Sequence, residues 1–309
     1  MQSITSKNFS ARVPSALQRM RRWLGGNFSP YFFIAPFFLV FIAFGLYPLL
    51  YALRLSFTHW HGDGDPRFIG LANYTFLLTD STFWQSITNS AVLWLLVVPV
   101  QIVIAVVLAV LLSRTTLRFR GFFRTTLLST YVVPLIAIAQ VWLVLFDQDF
   151  GAVNSLLHLF HLPMIGWLTT STWAKSTLAL LVLWRGSGFA MLAMLAAIQN
   201  IPLEYYEASA IDGAGAFTQF RYITLPLLRR TISFFVVIAT LGVIQMFAEP
   251  KVLTNGGPYN STMTAGFFLS TYINNSDFGT GAANTFLLII LLVALSLLML
   301  RLLRARDEV

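Results

Sequence analysis

Residues 91–112, AVLWLLVVPVQIVIAVVLAVLL, contain no charged side chain. A helix that crosses the hydrocarbon core of a bilayer needs about 20 consecutive, mostly apolar residues. The stretch therefore predicts a transmembrane helix. The whole chain has the same character, since hydrophobic residues make up 57% of it and charged residues 10%, against about 45–50% and about 25% in a typical soluble domain. This composition excludes a soluble globular protein.

Five further stretches predict membrane spans. Four are long apolar runs in which the only charged residue is Arg185, and they cover residues 31–53, 127–146, 177–198 and 278–300. The fifth, residues 232–253, is uncharged as far as Phe247 and then continues as Ala248-Glu249-Pro250-Lys251. Its outer end is therefore expected to be bent or water-lined.

The sequence thus predicts an all-α integral membrane protein with six transmembrane helices. It shows no repeat at a fixed period, so residues 31–309 are expected to form a single transmembrane domain after an N-terminal tail of residues 1–30. Four prolines inside the spans predict kinks, because neighbouring helices can satisfy the carbonyls that a proline leaves free: Pro36, Pro48, Pro99 and Pro134.

The twenty basic residues are distributed unevenly between the two sides of the membrane. Fifteen lie before the first span, between spans two and three, between spans four and five, and after the sixth span. Four lie on the other side, and the twentieth is Arg185. Because cytoplasmic loops carry the excess of Lys and Arg, both termini are expected to be cytoplasmic. The net charge of +8 is therefore accounted for by the basic cytoplasmic loops of a membrane protein. It does not indicate a nucleic-acid partner.

The cytoplasmic loop between spans four and five, residues 201–231, reads IPLEYYEASAIDGAGAFTQFRYITLPLLRRT. Pro202 suits the first position of a helix and Glu204 complements the helix dipole, so a helix is expected to begin there. Asp212-Gly213 supplies its end, since glycine tolerates the left-handed conformation that ends many helices. A second helix is expected from about Ala214 to the fifth span. Three small residues of the first helix would let another backbone approach closely, which predicts a docking element: Ala208, Ser209 and Ala210.

This loop resembles the EAA loop of ABC importer membrane subunits, whose pattern is E-A-A, three residues, G, nine residues, and I-x-L-P. Here it reads Glu207-Ala208-Ser209, then Gly213, then Ile223-Thr224-Leu225-Pro226. Only the second alanine departs, as a serine of similar size. In that family the loop is a coupling helix that sits in a groove of the ATP-hydrolysing subunit. The resemblance implies this role for Glu207, Ala208, Ser209, Asp212, Gly213, Ile223, Leu225 and Pro226.

Three other stretches resemble the carbohydrate-uptake branch of the family, of the maltose and glycerol-3-phosphate type: residues 68–74, FIGLANY, residues 146–151, FDQDFG, and residues 253–258, LTNGGP. The last is similar to the first of the two membrane subunits that such systems usually encode. The resemblance implies a permease subunit of the bacterial inner membrane that translocates a sugar, polyol or oligosaccharide by alternating access. Its implied partners are a second permease subunit, a pair of ATPase subunits and an extracytoplasmic solute-binding protein.

The chain is not expected to hydrolyse ATP itself. A P-loop needs Gly-Lys-Ser/Thr, and the three lysines follow Ser6, Ala174 and Pro250. The resemblance implies that ATP and Mg are bound by the partner ATPase, so neither a cofactor nor enzymatic activity is expected in this chain. No metal site is expected either, because the run from His59 to Asp65, HWHGDGD, is typical of a solvated turn and a structural zinc site needs four ligands at fixed geometry.

Arg185 is the costliest residue to place in a span, at roughly 2.5–3.5 kcal/mol near a helix centre. Such residues pair, face the bundle interior or line a water-filled path. Two interpretations stay open: a buried ion pair with Glu249, or a role in the cargo path. The run Gly186-Ser187-Gly188 is expected to leave room for ligand or to break the helix. Sugar sites combine apolar walls with a few polar groups, and the residues that fit such a lining are Trp184, Arg185, Gly186, Phe189, Gln245, Met246 and Glu249.

A secondary transporter driven by protons or sodium is the main alternative. Ion relays usually need carboxylates or histidines inside spans, and Glu249 is the one candidate, near the end of its span. A membrane-embedded enzyme is disfavoured further, because no paired carboxylates, histidine cluster or nucleophile with a base occurs within the spans.

Overall fold

The structure, a computed structural model, describes residues 29–114 and 117–304. The predicted tail, residues 1–30, lies outside these ranges apart from its last two residues. The described chain is mostly helical, with one short antiparallel hairpin of β1 (Thr58–His59) and β2 (Arg67–Phe68). Its helices are α1 (Ser29–Phe41), α2 (Tyr47–Leu55), α3 (Ala72–Thr79), α4 (Ser81–Ser113), α5 (Arg120–Val132), α6 (Leu135–Leu145), α7 (Ala152–Leu159), α8 (Ser171–Gln199), α9 (Leu203–Ile211), α10 (Ala216–Gln219), α11 (Leu225–Ile244), α12 (Ala248–Leu253), α13 (Ala265–Asn274) and α14 (Phe278–Arg304).

The first span belongs to a separate unit that ends at Arg54. Here α1 continues into α2 through a π-helical turn, Ile42–Leu46. No side chain described between residues 31 and 54 is buried, and aromatic rings stack along the helix, as Phe37 does on Phe41 with centroids 6.2 Å apart. The first predicted span is therefore confirmed as an apolar helix long enough to cross a membrane.

Five helical runs among the described residues are long and apolar enough to cross a membrane, and a bent pair of helices makes a possible sixth. The second, fourth and sixth predicted spans are single helices that extend beyond their apolar runs. The second begins ten residues earlier than predicted, at Ser81. Its start is capped by Asp80, whose carboxylate accepts a hydrogen bond of 2.7 Å from the backbone N–H of Thr82.

The core of the second unit lies where α4 and α8 pack along each other. Leu93 and Val97 of α4 and Leu178 and Leu181 of α8 are fully buried in one apolar cluster. Lipid tails are as apolar as leucine, so these helices are held together by close packing and interhelical hydrogen bonds more than by removal from water.

The third predicted span, residues 127–146, is wrong as a single helix. The chain forms α5 and α6 instead, which meet at an angle of 95°. Pro134 has no N–H to donate, and the residue before a proline is disfavoured in the helical conformation. Val133 accordingly has an extended backbone, with φ −64° and ψ 137°. The kink expected at this proline is therefore a complete break.

The fifth predicted span, residues 232–253, is also not one helix. The helical run extends from Ala216 to Ile244 and includes a π-helical segment, Phe220–Thr224. It then ends, and after a short non-helical stretch the chain forms α12. The expected bend at the outer end is confirmed, and it begins at Gln245, which caps α11.

The two interrupted spans pack against each other, because α12 lies on α6. Ile138 and Trp142 of α6 share one buried cluster with Met246 and Leu253. Irregular backbone at membrane depth is tolerated only where it is buried in protein or lines a water-filled cavity. Met246 at the second break is buried, whereas Val133 at the first break exposes 42% of its surface. The first break is therefore expected to face a water-filled cavity or another subunit.

Short elements close the end of the bundle at which α11 ends. The amide of Asn73 on α3 donates to the carbonyls of Ser56 and Thr58, at 3.0 and 2.9 Å. On α13, outside the spans, burial raises the pKa of Tyr272 to about 12, and the nearby Asp80 carboxylate adds to this shift. The Tyr272 hydroxyl is therefore expected to stay protonated in alkaline solution in which an exposed tyrosine would ionise.

Candidate coupling surface and cargo path

Helix α9 begins and ends where the sequence predicts. Pro202 precedes its first residue in an extended conformation. At the other end Gly213 has φ +80°, and its N–H donates to the carbonyl of Ala210 at 3.1 Å. The N–H of Ala214 donates to the carbonyl of Ser209 at 2.9 Å. These two bonds form the Schellman motif, which turns the chain sharply away from the helix axis.

Three side chains that sequence reasoning did not select attach α9 to the base of the fifth span. The hydroxyl of Tyr206 lies 3.0 Å from the hydroxyl of Thr224. The amide of Gln219 donates to the Tyr206 carbonyl at 3.1 Å and to the Ser209 hydroxyl at 3.0 Å. These contacts join α9 to the long helical run that ends at Ile244. The sequence does not show which of these residues bond to each other, because the bonds join positions up to 18 residues apart.

The opposite side of α9 is exposed. Ile211, its last residue, exposes 88% of its surface, and Phe217 on the following helix α10 exposes 76%. Ser209 departs from the expectation for the three small residues, because its side chain is half-buried against Gln219. Of the predicted coupling residues, Ile223 is also half-buried, and the exposed ones are Glu207, Ala208, Asp212, Gly213, Leu225 and Pro226.

Arg185 is half-buried on α8, and its partner is an aromatic ring. Its guanidinium carbon lies 5.1 Å from the centre of the Tyr131 ring on α5, a cation–π contact. In the part of the chain that the structure describes, no ion pair within 4.0 Å joins Arg185 to Glu249, and the Arg185 Nε is buried without a hydrogen-bond partner. The interpretation as a buried ion pair is therefore wrong.

The expected opening beside Arg185 is also wrong. Helix α8 runs unbroken from Ser171 to Gln199, and neighbouring helices fill the space at its glycines. A Cβ added at Gly188 would lie 1.9 Å from the carbonyl oxygen of Leu127. One added at Gly186 would lie 2.3 Å from the amide nitrogen of Gln101. These glycines let α4 and α5 approach α8 closely.

Aromatic side chains continue from Arg185 along α8. The rings of Tyr131 and Phe189 stack with centroids 4.9 Å apart, and Phe189 contacts Phe235 of α11 at 6.1 Å. Trp184 lies 6.0 Å from Trp142 of α6. Trp184 and Phe189 expose 46% and 44% of their surface, so both offer ring area to a ligand or to another subunit.

The other predicted cargo residues lie at the break after α11. Gln245 is exposed and, with Phe247, lines a cavity of about 460 Å³ against α13 and α14. Glu249 is half-buried on α12. Met246 is only 6% exposed and packs in the apolar core, while its carbonyl accepts a hydrogen bond from Thr264. Of these three residues, Gln245 has the side chain most open to a ligand.

Histidines and acidic residues do not gather elsewhere into a metal site. The rings of His59 and His61 contact each other with centroids 4.6 Å apart, on an exposed turn. Within residues 29–114 and 117–304, no group of three potential metal-ligating side chains of these types lies close enough to hold an ion.

The order and packing of these helices are those of an ABC importer membrane subunit. A solved structure of a bacterial ABC transporter that imports the acidic polysaccharide alginate superimposes with a TM-score of 0.82 at 19% sequence identity, and the match covers 93% of this chain and 99% of that one. The chain belongs to the family of binding-protein-dependent transport system inner membrane components, whose model matches residues 26–307. It is a multi-pass membrane protein and a transport subunit, not an enzyme.

Its relatives include several permeases. The lactose transport system permease protein LacF of Rhizobium radiobacter is 35% identical over 277 residues, which are 86% of this chain and 91% of that protein. The arabinooligosaccharides transport system permease protein AraP of Halalkalibacterium halodurans is 33% identical, covering 87% and 85% of the two chains. The trehalose/maltose transport system permease protein MalF of Thermococcus litoralis is 29% identical, covering 90% and 94%.

The contacts of Arg185 and Glu249 lead to different expectations for the two residues. Glu249→Gln removes no ion pair, so recovery of the assembled complex is expected to stay at the wild-type level while the apparent affinity for cargo changes. Arg185→Ala removes a contact worth about 0.5–2 kcal/mol, so uptake is expected to fall with a modest loss of complex. Recovery and uptake are measured side by side. Loss of the complex in both single variants, with rescue in the double variant, would restore the ion-pair interpretation.

Proposed function

We propose that this permease subunit carries a sugar, or a related polyol or oligosaccharide, that a solute-binding protein delivers. Carbohydrate transport systems recur among the relatives that match most of the chain, with lactose, arabinooligosaccharides and trehalose/maltose in their names. The alginate importer of the same fold is also known in complex with a pentasaccharide-bound periplasmic protein. The partners in this proposal are a second permease subunit, an ATPase dimer and the binding protein.

The exposed α9, tied by its inner side to the fifth span, is the observation that carries the mechanism. The proposal assigns Glu207, Ala208, Ser209, Asp212, Gly213, Ile223, Leu225 and Pro226 to the docking of the ATPase. When ATP closes the ATPase dimer, α9 moves with it, and the Tyr206–Thr224 and Gln219 contacts pass the movement to α11. ATP and Mg bind in the ATPase, and the present chain contributes no cofactor site to the cycle.

The proposed cargo path lies between the unbroken α8 and the two interrupted spans. Discontinuous helices are a common basis of transport sites, because their free backbone groups and helix ends can contact a polar solute. The aromatic faces of Trp184 and Phe189 suit the C–H face of a sugar, and the polar groups of Arg185, Gln245 and Glu249 suit its hydroxyls. Gly186 and Met246 would contribute by shaping the walls.

The proposed orientation places α9 in the cytoplasm. It rests on the excess of Arg and Lys on that side, and both termini would then be cytoplasmic as well. Because the chain has no cysteine, single cysteines make a clean test at two exposed sites. A cysteine at Thr218 is expected to resist an impermeant maleimide added from outside, and one at Asp65 to react. Labelling of Thr218 from outside would reverse the orientation.

Uptake and co-purification test the function together. Glu207→Ala is expected to lower both the recovery of the ATPase with this chain and ATP-dependent sugar uptake, because it removes an exposed carboxylate from the docking face. Glu204→Ala is the matched control: Glu204 is also exposed on α9 and lies outside the motif, so both readouts are expected to stay near wild type. Sugar uptake by the chain alone, without ATP and lost when ion gradients are dissipated, would instead support a secondary transporter.

A further inference from the structure

A cavity of about 430 Å³ lies on the inner side of α9, between that helix and the ends of α4, α5, α8 and α10. It belongs neither to the exposed face of α9 nor to the proposed cargo path. The polar residues that line it include Ser113, Arg114, Arg120, Gln199, Tyr206 and Gln219.

Two arginines, both exposed, line the cavity, and no acidic side chain of the lining balances their positive charges. Its lining contains no Asp or Glu, and within the described residues neither Arg114 nor Arg120 has a side-chain ion pair or hydrogen bond. Arg120 is also the first residue of α5, and the preceding residue, Phe119, gives that helix no side-chain cap. The positive end of the helix dipole therefore adds to the two charges.

The remaining wall is apolar and includes Val110, Ile198 and Phe220. A cavity of this volume is within the range of about 300–1,000 Å³ that small-molecule sites occupy. An anion that satisfies two separate guanidinium groups needs several oxygens, as a phosphate ester has, and the planar donor fork of arginine matches phosphate geometry. The apolar wall suits an organic group attached to that phosphate.

We propose that this cavity binds a phosphate-bearing organic anion, with its phosphate on Arg114 and Arg120. Tyr206 and Gln219 belong both to the cavity wall and to the contacts that hold α9. An occupant therefore connects α9 to the ends of α4 and α5 and restrains its movement. Binding itself does not depend on the coupling function proposed above; the expected consequence, slower ATP turnover by the complex, does.

The test measures binding to the assembled complex in nanodiscs, with ADP and Mg filling the ATPase sites and no turnover. Phenyl phosphate in equilibrium dialysis is the soluble probe, in discs of phosphatidylcholine. Retention of phosphatidylglycerol from mixed discs, counted by native mass spectrometry, is the lipid probe. The double variant Arg114→Gln/Arg120→Gln is expected to lower affinity for the bound probe by about tenfold or more, since hydrogen bonds to charged groups are lost.

Arg118→Gln is the matched control. It removes one positive charge from the same segment, but Arg118 lies over the Phe119 ring, 5.3 Å from its centre, and does not line the cavity. Affinity is expected to change less than about twofold. Loss of phenyl phosphate binding in the double variant alone identifies a soluble ester, and loss of phosphatidylglycerol alone identifies a lipid headgroup. Equal losses in Arg118→Gln and the double variant, or no saturable binding of either probe, would overturn the proposal. None of these outcomes depends on uptake, so coupling is tested separately.

Discussion

Gly188→Ala is expected to destabilise the helix bundle strongly, although it adds a single methyl group. The new Cβ would lie 1.9 Å from the carbonyl oxygen of Leu127, where ordinary contact begins at 3.4 Å. Helix α5 would have to retreat by about 1.5 Å, the difference between these distances, because a backbone carbonyl cannot rotate away as a side chain can. Overpacking typically costs about 1–3 kcal/mol, and the rigid backbone contact places this variant at the upper end of that range, at about 3 kcal/mol. The measurement is the recovery of monodisperse complex and its thermal-unfolding midpoint in detergent.

Gly242→Ala is the control, and its expected effect on stability has the opposite sign. Gly242 lies in α11, and a Cβ added there meets no atom within 4 Å. Alanine stabilises a helix relative to glycine by about 0.5–1 kcal/mol, so this variant is expected to be as stable as the wild type or more so. Equal behaviour of the two alanine variants would show that α5 does not lie against α8 as described.

Gly213→Val is expected to uncouple transport from ATP hydrolysis while the chain remains in the membrane. The strain comes from the backbone alone, since Gly213 has φ +80° and a Cβ there meets no atom within 4 Å. A β-branched residue in this conformation costs about 1–3 kcal/mol, which is roughly 5- to 150-fold in the population of the formed turn. We expect a fall in uptake of that order, with the complex still recovered.

Gly215→Val is the matched control for the turn. Gly215 lies two residues further on, also in open space, with φ −74° and an extended conformation that valine adopts readily. Uptake in this variant is expected to stay much closer to wild type. Similar losses in both valine variants would mean that the left-handed turn at Gly213 has no special part in coupling.

Local and compositional properties were readable without the structure. The apolar run of residues 91–112 indicates a span because hydrocarbon thickness sets a minimum length for a helix that crosses it. The end of α9 at Gly213 is likewise a property of a few neighbouring residues, because the left-handed conformation is inexpensive for glycine. The resemblance of the motif around Glu207 to the EAA loop predicted a coupling surface, and that role stays a prediction.

Tertiary structure alone decided the rest. Pro134 predicts a kink but does not set its angle. The 95° angle between α5 and α6 is found in a structure in which α6 packs on α12. Arg185 contacts Tyr131, 54 residues away, and not Glu249. Composition and backbone preferences act over a few residues of chain, whereas a side chain's partner depends on which helices lie opposite it. Which helices lie opposite each other is decided by the packing of the whole bundle. The same packing places the Leu127 carbonyl against Gly188.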